Sequence, residues 1–199
     1  MDNATFLSVL KQSFITYLKT SARSNEKLKI LHGSIAKDLY TKIQTMRNTD
    51  YSVSALGFNN GKEEKIQGRY IKKMVDITIK NNHQSIAGIA VKYVMSNYFQ
   101  NANNYFENML GETANIRCNQ KMYFQILVIP EKLPYFDNKG KITKLEIIDK
   151  HYLEKYIQLS QDDKKQFFHT PDKVLLCVIN ISQPNNEIKN KQEIGRAHV

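Results

Sequence analysis

Two charged residues stand inside apolar, β-branched segments of this chain: Asp76 in KMVDITI (73–79) and Lys92 in SIAGIAVKYV (85–94). A charge within an apolar strand is costly to bury unless it is paired or binds a metal ion. Carboxylates are preferred ligands of hard cations such as Mg²⁺, and a lysine ammonium can stabilise developing negative charge. Both residues are therefore candidates for metal-assisted chemistry.

The faces of the two segments follow from the alternation of side chains along a strand. Asp76 shares its face with Met74 and Thr78. On the second segment one face carries Gly88, Ala90 and Lys92, and the other carries Ile89, Val91 and Tyr93. The two segments are expected to pair in one sheet, which brings the acid and the lysine together. Gly88 and Ala90 are expected to leave room above the strand for a further carboxylate.

This arrangement resembles the PD-(D/E)XK nuclease superfamily, whose signature is a strand aspartate followed by an acid-x-Lys triplet on the next strand. Val75-Asp76 stands at the first part, and Ala90-Val91-Lys92 stands at the second. Ala90 occupies the place of the second acid. In one group of type II restriction endonucleases the following helix supplies that acid, and this sequence looks like that group. The resemblance covers residues 63–130.

The helix after Ser96, its predicted N-cap, should run back along the strand that precedes it. Glu107 lies about 15 Å along that helix at about 1.5 Å per residue. Lys92 lies about 10 Å before the turn at about 3.3 Å per residue. Glu112 overshoots Glu107 by a further 7–8 Å or so on the same rise. Glu107 is therefore the preferred helix acid, and Glu112 is the second choice.

The resemblance implies an Mg²⁺ ion held by Asp76, Glu107 and the backbone carbonyl of Val91, with Lys92 orienting the attacking water. It also implies a product that carries a 5′-phosphate. Glu63 or Glu64 could add a further contact to the metal from upstream. Weaker candidates for contacts with DNA are Lys72, Lys73, Asn103 and Asn104.

Each of these residues also has a purely structural interpretation. Asp76 could cap a turn at a strand end, and Lys92 could be an edge-strand charge. Glu107 could be a solvated helix residue, and the asparagines could belong to the polar face of that helix. The histidines His32, His83, His151 and His169 are scattered without ligand spacing, which argues against a zinc site.

The pattern around these residues predicts an α/β fold, with a mixed β-sheet of about five strands flanked by helices. Residues 1–50 form a helical lead-in, 51–181 the nuclease core, and 182–199 a polar tail. The core order is a meander of strands at 65–70, 73–79 and 85–94, a helix, a strand at 122–130, a loop, a helix near 149–159 and a strand at 173–180. The final IGRAHV back-translates to a common sequencing-adapter oligonucleotide, so we expect the natural chain to continue differently.

The 199 residues carry a net charge of +10, which favours a polyanionic partner, although a solvated lysine-rich surface is an equal alternative. No apolar run is long enough to cross a membrane, and two isolated cysteines fit a reducing, prokaryotic cytoplasm. The expected function is Mg²⁺-dependent hydrolysis of double-stranded DNA by a homodimeric type II restriction endonuclease, with a cognate DNA methyltransferase as its functional partner. Two alternatives stay open: a non-catalytic DNA-binding or assembly protein on a degenerate nuclease fold, and a repair, junction-resolving or transposition nuclease.

Overall fold

The computed structural model describes residues 1–20, 24–46, 50–137 and 140–181, together with the backbone of residues 194–198. Its helices are α1 (Asn3–Lys19), α2 (Glu26–Met46), α3 (Tyr98–Arg117) and α4 (Lys150–Gln161). Its strands are β1 (Tyr51–Ala55), β2 (Glu64–Gln67), β3 (Lys72–Val75), β4 (Ile77–Asn81), β5 (Gln84–Tyr93), β6 (Met122–Pro130), β7 (Lys132–Phe136), β8 (Ile142–Ile147), β9 (Lys173–Ile181) and β10 (Ile194–His198). Of the predicted polar tail at 182–199, residues 182–193 and 199 lie outside the described residues.

A mixed sheet forms the middle layer, with the strand order β1-β4-β5-β6-β9-β10. β1, β4 and β5 are antiparallel neighbours, β5, β6 and β9 run parallel, and β10 pairs antiparallel with β9. Helices α1 and α2 pack on one face through Leu10, Phe14 and Leu31, and α3 and α4 pack on the other through Tyr98, Met109 and Tyr156. The predicted α/β fold, with five strands β1-β4-β5-β6-β9 flanked by helices, is confirmed.

The predicted single strand at 73–79 is wrong, because the chain bends at Asp76. β3 ends at Val75 and pairs with β2 in a separate two-stranded sheet, whereas β4 begins at Ile77 and joins the main sheet. The resulting hairpin folds over the sheet, so Ile66 and Val75 pack on Tyr123. This bend leaves Asp76 between two sheets, with its backbone in neither ladder.

Two further boundaries differ from the sequence prediction. The predicted loop after β6 is a hairpin of β7 and β8. The N-cap of α3 is Asn97 in the left-handed conformation rather than Ser96, and its side chain makes no capping bond. Instead the buried carboxylate of Glu146 on β8 accepts hydrogen bonds from the backbone N–H groups of Tyr98 and Phe99, at 2.7 and 3.2 Å. A long-range contact thus replaces the local cap.

Candidate functional site

The site begins where β5 runs past the end of β4. Their last paired residues are Ile77 and Ile89, so among the described strands none pairs with the following residues of β5 on that side. Asp76 fills the gap: its Oδ2 accepts the backbone N–H of Val91 at 2.7 Å. In an extended residue the N–H and C=O point to the same side of the strand, so the Val91 carbonyl also faces this gap.

A cavity of about 470 Å³ opens at this point, between α2 and α3. Asp76 and Lys92 both line it, together with Lys73 on β3 and Glu112 on α3. Tyr105, Asn108, Met109 and Glu112 supply the wall from α3, at the spacing of one helix face. The structure therefore brings Asp76, Lys92 and a helix acid into one pocket.

The helix acid in the pocket is Glu112, and the preference for Glu107 has to be corrected. Glu107 is exposed, is not among the cavity-lining residues, and acts electrostatically on Lys155. The prediction from the sequence compared only distances along the helix axis and took no account of where each residue lies around that axis. Five residues at about 100° each place Glu107 roughly 140° around the helix from Glu112, on a different face.

The carboxyl of Asp76 has a raised pKa. Burial raises its pKa from 3.8 to about 6, the Val91 hydrogen bond opposes that rise, and the charge of Glu112 adds to it. Lys92 has a side chain exposed to the open cavity, with its Nζ 4.0 Å from the centre of the Tyr105 ring. Protein packed around that ammonium lowers its pKa, while Asp76 and Glu112 raise it. The three side chains therefore interact electrostatically.

Glu112 already has cationic and hydroxyl neighbours. Lys73 Nζ lies 2.5 Å from Glu112 Oε1, and the Tyr123 hydroxyl donates to Glu112 Oε2 at 3.5 Å. The room expected above Gly88 is occupied, because a Cβ there would lie 2.9–3.0 Å from side-chain atoms of Ile66, Tyr123 and Val75. The folded-over β2–β3 hairpin fills that space, so Ala90 borders the cavity and Gly88 does not.

The remaining candidates lie in different surroundings. Glu64 pairs with Lys80 at 2.5 Å, away from the cavity, whereas Glu63 lies beside Asp76. Lys72 is exposed on β3, and Asn103 and Asn104 are exposed on α3. Asn103 accepts a hydrogen bond from Lys155 at 3.3 Å, on the side of α3 near α4.

Sequence reasoning missed His32 on α2. Its Nδ1 lies 4.0 Å from Glu63 Oε1 and 4.0 Å from Asp76 Oδ1. Donor atoms of these three residues lie within 4.8 Å of one another, so the group could hold a metal ion. The available signal was that His32 falls on the apolar stripe of α2, three and seven residues before Ile35 and Leu39.

In comparisons with known proteins, no protein-family model, curated protein or solved structure matches the chain. Among the described residues, no helix combines the length and apolar character required to cross a bilayer.

Proposed function

We propose that this chain is a divalent-cation-dependent endonuclease of the PD-(D/E)XK type that hydrolyses double-stranded DNA, and that it is a type II restriction endonuclease. The observation that carries the proposal is that Asp76, Lys92 and Glu112 line one open cavity. Carboxylates with an adjacent ammonium suit metal-assisted phosphodiester hydrolysis. The net charge of +10 fits a polyanionic substrate.

Asp76 and Glu112, with the Val91 carbonyl, would hold the cation, and Mg²⁺ is proposed because all three donors are oxygens. When bound, the ion would polarise the phosphate as a Lewis acid and would lower the pKa of a bound water. Asp76 is well placed for this role, because its hydrogen bond to the backbone N–H of Val91 fixes its orientation. Glu112 takes the place that the resemblance gave to a helix acid.

Lys92 would orient the attacking water and stabilise the charge that develops on the phosphate. Its ammonium lies 4.0 Å from the centre of the Tyr105 ring, and both residues line the cavity. Lys73 now neutralises Glu112. A cation bound at Glu112 would replace Lys73 as its partner and leave that ammonium to contact a phosphate of the DNA backbone. This gives Lys73 the DNA-binding role expected from the sequence.

A homodimer and a cognate methyltransferase complete the proposal, because a palindromic site matches two-fold symmetry and self-cleavage must be prevented. The alternative functions predict different behaviour with DNA. A repair, junction-resolving or transposition nuclease on this fold would lack fixed cutting sites on ordinary duplex DNA. A non-catalytic binding protein would retain DNA without cutting it.

The experiment incubates the purified chain with plasmid and phage DNA in Mg²⁺ or in EDTA. Discrete fragments that require Mg²⁺ are expected. Metal-dependent smearing would replace the restriction assignment by another nuclease, and retardation without cutting would refute catalysis. Asp76→Ala should abolish cutting, whereas Asp162→Ala, outside the cavity, should not. Cutting by Asp76→Ala at the wild-type rate would refute the site.

A further inference from the structure

The imidazole of His32 is buried, with 1% of its side chain exposed, and neither ring nitrogen has a hydrogen-bond partner within the described part of the chain. Buried polar atoms are nearly always hydrogen-bonded, and leaving one unpaired costs about 1–3 kcal/mol. The neighbouring carboxylate oxygens, at 4.0 Å, are too distant to accept a hydrogen bond. No hydrogen bond within the described ranges therefore explains the burial of His32.

The fold holds His32 in this position by a close backbone contact. Gly33 faces Gly57, and a Cβ on Gly33 would lie 2.5 Å from the Gly57 carbonyl oxygen. Gly57 has a φ of +80°, and a Cβ on it would lie 2.2 Å from the carbonyl oxygen of Lys29 on α2. Two glycines thus let α2 approach the turn after β1, and this approach carries the imidazole to Glu63 and Asp76.

The spacing of the three donors fits a common ion. Nδ1 of His32 lies 4.0 Å from each carboxylate oxygen, and all three atoms lie within 4.8 Å of one another. An equidistant ion in their plane would therefore lie at most about 2.5 Å from each atom, against metal–ligand distances of about 2.0–2.2 Å. Small side-chain rotations close that difference. His32 and Asp76 line the open cavity, which gives an ion a path to the group.

The two carboxylate oxygens of Asp76 face two different positions that an ion could occupy. Oδ1 faces His32, while Oδ2 accepts from Val91 on the β5 side. The group formed by His32, Glu63 and Asp76 therefore lies beside the pair formed by Asp76 and Glu112, with Asp76 common to both. One carboxylate between two cations is the arrangement of two-metal phosphodiesterase sites.

We propose that His32, Glu63 and Asp76 bind a first-row transition-metal dication in preference to Mg²⁺. Imidazole nitrogen is a good ligand for transition metals and a poor one for Mg²⁺ and Ca²⁺, which take oxygen ligands. The two carboxylates supply the charge that such a dication requires. The proposal concerns binding alone and goes beyond the nuclease activity, so it holds or fails separately from it.

In the experiment the full chain is first stripped of metal with EDTA, and the EDTA is then removed. Mn²⁺ is added, and the free Mn²⁺ is measured by electron paramagnetic resonance. Binding is expected to survive a tenfold excess of Mg²⁺, and the bound ion should show coupling to an imidazole nitrogen in electron spin-echo spectra. Glu63→Gln should weaken binding by about tenfold or more, because a lost ligand costs at least as much as a lost outer partner. Glu64→Gln is the matched control and should bind as the wild type does, because Glu64 pairs with Lys80.

His32→Leu should remove the nitrogen coupling, and circular dichroism checks that this variant folds. If it does not fold, the wild-type spectrum and Glu63→Gln still decide the question. No Mn²⁺ binding, bound Mn²⁺ without nitrogen coupling, or equal affinity in Glu63→Gln would each overturn the proposal. A chain that binds Mn²⁺ through nitrogen but cuts no DNA would refute the nuclease alone, and one that cuts with Mg²⁺ but shows no nitrogen coupling would refute this site alone.

Discussion

Asp76→Asn is expected to stabilise the metal-free protein while removing the proposed metal ligand. Burial raises the pKa of Asp76 from 3.8 to about 6, so the folded protein holds this carboxylate charged at a cost above pH 6. The difference between these two pKa values lowers the free energy of unfolding by about 3 kcal/mol at pH 8. Asparagine carries no charge, and its Oδ1 can still accept the N–H of Val91.

The pH dependence follows from the direction of the shift. A carboxyl whose pKa is raised by folding contributes stability that is complete below 3.8 and is lost as the pH rises through about 6. The gain in the free energy of unfolding from Asp76→Asn should therefore be complete at pH 8, smaller at pH 5, and nearly absent at pH 4. At pH 8 the expected rise in Tm is about 6–12 °C for a chain of this length.

The assay is urea and thermal unfolding in EDTA at these three pH values. Asp172→Asn is the matched control, because Asp172 accepts from the Tyr123 N–H at 2.9 Å and pairs with Lys164 at 3.1 Å. Asp172→Asn removes this charged partner and should destabilise the fold. If Asp76→Asn is destabilising at pH 8, or if its effect does not change with pH, the conclusion that partial burial destabilises the charged form of Asp76 is refuted.

Further predictions concern the elements that hold the site. Gly33→Ala should destabilise the fold by about 1–3 kcal/mol in urea unfolding, since its Cβ would meet the Gly57 carbonyl at 2.5 Å. Gly111→Ala should instead stabilise α3 by about 0.5–1 kcal/mol, because a Cβ there would meet no described neighbour within 4 Å. A change of the same sign in both variants would contradict the packing argument. Glu146→Ala should cost about 2–4 kcal/mol, because the N–H groups of Tyr98 and Phe99 lose their acceptor. An unchanged midpoint in urea would show that water replaces that acceptor.

The face of the sheet on which each β5 side chain lies was predictable, because side chains alternate between the two faces along any strand. Ile89, Val91 and Tyr93 contact the α1–α2 core, as their apolar character indicated, while Ala90 packs on the opposite side. The bend at Asp76 was not predictable from periodicity, because β3 and β4 together read as one continuous apolar strand. Only the pairing of β3 with β2 reveals the break.

Among the residues that line the cavity, Asp76 and Lys92 could be singled out from the sequence. Asp76 and Lys92 follow from charge within apolar strands, but the choice between Glu107 and Glu112 depends on the rotation of α3, which its length does not give. His32 joins the site through the contact between Gly33 and Gly57, which are distant in sequence. Local pattern cannot specify such tertiary contacts.

The most direct measurement compares DNA cleavage by Glu112→Gln and Glu107→Gln, two identical changes on one helix. Glu112 lines the cavity with Asp76 and Lys92, and Glu107 does not. Cleavage in Mg²⁺ should fall by about 100-fold or more in Glu112→Gln and stay at the wild-type rate in Glu107→Gln. Full cleavage by Glu112→Gln, or a loss confined to Glu107→Gln, would contradict the account.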